Sequence, residues 1–80
     1  MTLKAIGDRL LEMCTLFEFT YNGKDGNIDP YYTPQNGNTF LLYYDGKEQT
    51  VYSIDEVLST PFIDGKCLNE IYDQIEITDW

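Results

Sequence analysis

The chain has no histidine, only two cysteines, and five basic residues against fourteen acidic ones. Each shortage removes a class of function. Without histidine, the commonest general base and metal ligand near neutral pH is missing. Cys14 and Cys67 stand far apart with no C-x-x-C spacing, so neither a zinc knuckle nor a dithiol redox pair can be drawn. Scarce lysine and arginine argue against direct nucleic-acid binding, which relies on cations displacing phosphate counterions. An anionic membrane surface would repel the chain for the same reason. No apolar run approaches the ~20 residues of a membrane-spanning helix. The N-terminus has one lysine and then an amphipathic pattern, unlike a signal peptide. The expectation is a cytoplasmic protein with two reduced, largely buried thiols.

What is present suits one small core. Eighty residues, 42% hydrophobic and 15% aromatic, make a single domain over 1–80. A chain of this size buries about 60% of its unfolded surface. The net charge of −9 is uneven: residues 1–44 hold five acids and three bases (−2), residues 45–80 nine acids and two bases (−7).

The longest uninterrupted apolar run is Thr39-Phe40-Leu41-Leu42-Tyr43-Tyr44, bounded by Asn36-Gly37-Asn38 and Asp45-Gly46-Lys47. Both alternating sets are apolar, which fits a central strand. Phe40 and Leu42 are expected to point into the core and Tyr43 outward. Upstream, Leu3, Ile6, Leu10, Met13 and Cys14 recur at helical spacing behind Thr2, which predicts a helix over 2–14. Gly7 weakens it by about 1 kcal/mol relative to alanine. Phe17, Phe19 and Tyr21 alternate with Glu18 and Thr20, the pattern of a half-buried strand. The run 22–26 reads as a turn. The strand that follows, Asn27 to Tyr32, contains Pro30 and is expected at an edge or to be short. Asp45-Gly46 predicts a hairpin into a strand from Gln49 to Tyr52. Ser53 with Glu56 three residues on forms a capping box for a short helix that Pro61 stops. Asp64 is placed as the cap of a second helix over 66–75, with Leu68, Ile71 and Ile75 inward. The tail 76–80 fits a strand or a loop. The predicted architecture is α+β: an N-terminal helix, a four-stranded antiparallel meander, and two short C-terminal helices packed on one face of the sheet.

Sites of chemistry are few. Asp25-Gly26-Asn27-Ile28-Asp29 matches the middle of a calcium-binding EF-hand loop. With that glycine at loop position six, however, the first and twelfth ligand positions fall on Tyr21 and Tyr32. A turn built from Asp and Gly is the simpler account. No metal, cofactor or catalytic residue is assigned, and the chain reads as a non-enzyme. Seven tyrosines exceed what so small a core needs. Tyrosine is enriched in interfaces. Asp73 and Glu76 lie at or past a helix C-terminus, where the dipole disfavours negative charge. Tyr31, Tyr43, Tyr52, Asp73 and Glu76 are therefore the candidate partner-binding residues. The expected function is a protein-interaction module contacting a basic protein, or a second copy of itself, through an aromatic sheet face. The alternative is a nucleic-acid mimic whose carboxylates occupy the basic groove of a DNA- or RNA-binding protein.

Overall fold

The computed structural model describes residues 2–12 and 16–79. Its elements are α1 (Leu3–Leu11), β1 (Phe17–Tyr21), β2 (Lys24–Thr33), β3 (Gly37–Tyr44), β4 (Lys47–Val51), α2 (Ile54–Ser59), α3 (Leu68–Ile71) and β5 (Glu76–Asp79). The strands form one antiparallel sheet in the order β4-β3-β2-β1-β5. The class is α+β as expected. The sheet has five strands rather than four, because the tail pairs with β1.

The helices share one hydrophobic core with one face of the sheet. Ile6 and Leu10 of α1, Val57 of α2, and Leu68 and Ile71 of α3 pack there with Phe17, Phe19, Ile28, Phe40, Leu42, Tyr44 and Val51. β3 is paired on both sides but lies next to the edge strand β4, with β2 rather than β3 at the centre. Its Phe40, Leu42 and Tyr44 are at most 3% exposed, while Leu41 and Tyr43 point to the other face. The inward set is the one expected. Gly7 is buried in α1, where an added Cβ would stand 3.4 Å from Ile54 Cγ2 of α2.

Several boundaries differ from the sequence reading, each for a local reason. The first hairpin turn is Asn22-Gly23 alone, with φ of 57° and 77°, and Asp45-Gly46 repeats it at 51° and 82°. Positive φ at both central residues matches the right-handed strand twist of a two-residue hairpin. Residues 24–26 therefore belong to β2. That strand lies at the centre of the sheet despite Pro30. Asp45 donates its N–H to the Asp25 carbonyl, so residues 25, 27, 29 and 31 direct their backbone groups at β3 and the even residues direct theirs at β1. Because β1 begins at Phe17, opposite Ile28, Pro30 lies beyond the start of that strand. Its missing N–H costs the ladder nothing.

The helices are shorter than the periodicity suggested. α1 ends at Leu11 with Thr2 capping Ala5 N–H at 3.1 Å. Met13 and Cys14, placed in that helix from sequence, lie outside the described residues, as does Trp80. In α2, Ser53 Oγ accepts from Glu56 N–H, and the Glu56 carboxylate reaches back to the Tyr52 N–H and the Ser53 hydroxyl. α3 is a single turn opened by Cys67, not by Asp64. The Cys67 N–H and thiol both point at Glu70 Oε1, at 3.2 and 3.3 Å. Asp64 instead forms a third positive-φ pair with Gly65 (52° and 78°), in a small hairpin closed by reciprocal bonds between Ile63 and Lys66. Cys67 is half-exposed rather than buried on an apolar face.

Candidate functional site

With the helices gathered on one face of the sheet, no described helix covers the other. Strand alternation assigns its residues. Across the sheet, register aligns Glu48, Tyr43, Asn27, Glu18 and Asp79 in one row. On one side of it runs Thr50, Leu41 and Asp29; on the other, Asp25, Thr20 and Glu76. Further along, Tyr31 is paired with Thr39. The open face thus carries the carboxylates of Glu18, Asp25, Asp29, Glu48, Glu76 and Asp79. All five basic residues lie elsewhere: Lys4 and Arg9 on α1, Lys24 and Lys47 at inward-facing strand positions, and Lys66 in the third turn. Glu18 and Asp79 face each other on neighbouring strands, which are about 4.8 Å apart, inside the roughly 8 Å screening length of physiological salt. Glu48 lies two strands from the nearest other carboxylate of the face.

Within this field sit the aromatic contacts. Tyr31 is 39% exposed, and Tyr43 and Leu41 are half-buried. A hollow of about 420 Å³ is bounded by Glu18, Asp25, Asn27, Tyr43 and Thr78 together with Phe19 and Gly26. Of the residues singled out from sequence, Tyr31, Tyr43 and Glu76 share this face, with Tyr43 in its middle row and Tyr31 and Glu76 toward opposite ends. Tyr52 does not join them. It follows the end of β4, 51% exposed, and borders a helix-side hollow with Leu11, Phe40 and Ile54. Asp73 is exposed in the turn after α3. Sequence alone does not mark Glu18, Asp25, Asp29, Glu48 and Asp79 as partner contacts. Alternation places Glu18 opposite Phe17 and Phe19, but the shared face needs the register of five strands.

A second cluster of polar groups lies at the end of the sheet where the three positive-φ turns meet. The buried Tyr44 hydroxyl lies 2.7 Å from the Tyr21 carbonyl and 3.1 Å from Asp64 Oδ2. Lys24 Nζ stands 3.4 Å from Asp45 and 3.5 Å from Asp64, and Asn22 Nδ2 is 3.4 Å from Asp64. Burial, and then the Asp64 carboxylate, push the Tyr44 phenol up to about 12. Partial desolvation opposes ionisation of Asp64, yet bonds from Asn22 and Tyr44 and the charge of Lys24 hold it below its ordinary value. A phenol so high and a carboxylate so low each keep one protonation state across neutral pH. The cluster is a clasp between turns and offers no group poised for proton transfer.

Among the described residues no group of three or more His, Cys, Asp or Glu is arranged to hold a metal ion. Asp25 to Asp29 are extended in β2 rather than looped. No helix of the described residues is long and apolar enough to cross a membrane. No family model, curated protein or solved structure matches the chain, so its geometry carries the functional reading.

Proposed function

We propose that this protein is a non-catalytic contact module whose open sheet face binds a basic partner protein. One observation carries the reading. Glu18, Asp25, Asp29, Glu48, Glu76 and Asp79 share that face with Tyr31 and Tyr43, and none of the five basic residues does. Opposed like charges cost stability, and aromatic rings surrounded by one sign of charge suit a cationic surface. Face-to-face pairing of two copies would set one array of carboxylates against another, so the partner is a different protein.

The test is a charge-matched comparison. The variant Glu18→Gln/Asp29→Asn/Glu48→Gln neutralises the open face, and Asp8→Asn/Asp55→Asn/Asp73→Asn removes the same charge elsewhere. Binding to poly-lysine, followed by titration calorimetry at several salt concentrations, should weaken at least about tenfold in the first variant and shallow its salt dependence. The second should stay within about twofold of the unmodified protein. Equal loss in both would reduce the effect to net charge and end the proposal.

The separation of charge also supports the nucleic-acid mimic as a second reading, because six of the fourteen carboxylates share one face with no cation on it. A competition assay decides it. A mimic displaces duplex DNA from a non-specific DNA-binding domain in an open-face-dependent way. No displacement at large excess discards it.

A further inference from the structure

A five-stranded open sheet has two edges, and they are defended unequally. At β5 the edge is four residues long, carries Glu76 and Asp79, and has a register break against β1 between Glu18 and Phe19. Short length, charge and a bulge are the usual devices that stop another strand from pairing. β4 is one residue longer and also carries charge at Lys47 and Glu48, but it has no bulge. It pairs with β3 in unbroken register from Lys47 to Val51, contains no proline, and is exposed from Lys47 to Thr50. We infer that the β4 edge takes an extended basic segment of the partner protein as a sixth strand; this rests on the open-face reading above.

The free backbone groups can be located. In a two-residue hairpin the residues flanking the turn exchange both backbone bonds, and bonded and non-bonded pairs then alternate. Tyr44 with Lys47, Leu42 with Gln49, and Phe40 with Val51 are thus the bonded pairs. Glu48 and Thr50 turn their N–H and C=O groups away from the sheet. A segment bonding to them sets its own in-register side chains on the open face. There the Glu48 carboxylate begins the row that runs through Tyr43 to Glu18 and Asp79. Lysine or arginine suits those positions. The intervening side chain, opposite Gln49, points the other way. It enters an open hollow of about 210 Å³ where Leu42, Pro61 and Phe62 stand beside the charged Asp45, Lys47 and Asp64. The volume is enough for one aliphatic side chain laid against Leu42, Pro61 and Phe62. The recognised pattern is basic and apolar in alternation, joined by main-chain bonding to the edge.

A second copy fits this edge poorly. Pairing edge to edge would bring together two chains of net charge −9.

The probe is a capped lysine–valine hexapeptide of alternating sequence, titrated into the full chain with amide exchange followed by NMR. Slowed exchange at Glu48 and Thr50 is expected. The same peptide N-methylated at alternate residues keeps its charge but loses its donors, and should bind at least about tenfold more weakly. Thr50→Pro should cause a comparable loss while keeping its fold, because that N–H faces solvent. If it unfolds, the peptide comparison decides alone. Equal binding of the two peptides, with the open-face charge variant still impaired, overturns the edge inference and leaves the open-face reading standing. Full binding by the charge variant overturns both. A doubled mass in the free protein, with Glu48 and Thr50 already protected, assigns the edge to a second copy and overturns the inference.

Discussion

Gly26 illustrates how one residue can be misread when only its neighbours in sequence are seen. Beside Asp25 it resembles a turn or a metal loop, yet its backbone is extended in β2. Its register partners are Phe19 on β1 and Tyr44 on β3. Both rings lean over the gap where a side chain would stand, nearly parallel at 8° with centroids 6.5 Å apart. A Cβ on residue 26 would lie 2.5 Å from Phe19 Cζ. Phe19 has little room to retreat, with Phe17 at 5.7 Å and Phe62 at 6.5 Å between ring centroids. Gly26→Ala should therefore destabilise by about 1–3 kcal/mol through overpacking, despite alanine's smaller entropy loss on folding. Denaturant melts check this. The cost should shrink when Phe19→Leu is already present, and additive effects of the two substitutions would show that the ring is not the cause. The sequence holds the aromatics and the glycine, but only the pairing shows that one covers the other.

At the level of elements, the strands and first hairpins were readable because their signals are local. Apolar runs ended by Asn-Gly and Asp-Gly predicted β1, β3 and β4 and the chain reversals between them. Asp64-Gly65 carries the same dipeptide, but the flanking Ile63 and Lys66 give too little alternation to mark strands, so from sequence Asp64 reads as a helix cap. Pro30 misled for a related reason: whether a strand proline is harmful depends on which neighbour its nitrogen faces and where that neighbour begins. Three turns distant in sequence are then joined by one clasp at Tyr44 and Asp64. Tyr44→Phe leaves the Tyr21 carbonyl without this donor and should cost about 1–2 kcal/mol at neutral pH. The phenol's value is raised from 10.0 to about 12 in the folded state. Its stabilising contribution is thus complete below pH 10 and is lost as the pH rises toward 12. The stability gap between the unmodified protein and Tyr44→Phe should narrow across that interval. A gap that stays constant there would remove the phenol from the clasp. Asp64, with a depressed value, acts in the opposite window. Its contribution holds above its ordinary 3.8 and fades as the pH falls through the lower folded value.

Across the whole molecule, charge is divided in a way the chain order conceals. The sequence shows an acidic second half; in three dimensions six of the fourteen acids share one face without a cation, Glu18, Asp25 and Asp29 from the first half with Glu48, Glu76 and Asp79 from the second. Three cations form ion pairs away from it, Lys4 with Asp8, Arg9 with Glu12, and Lys24 with Asp45 and Asp64. Such a division is unfavourable for folding, and Glu18 directly opposite Asp79 is its sharpest case. Like charges facing across a strand pair cost up to about 1 kcal/mol. Glu18→Gln should therefore stabilise the protein by about 0.2–1 kcal/mol in low salt, and the gain should largely vanish in about 1 M salt as screening shortens to roughly 3 Å. The same substitution should weaken binding to a cationic partner. Opposite signs for stability and binding are the signature of residues held for contact at the expense of folding. Thermal melts at two salt concentrations beside a poly-lysine titration give both signs from one variant. A Glu18→Gln protein no more stable than its parent would mean that the carboxylates do not oppose one another, and one that binds equally well would place the partner on another surface.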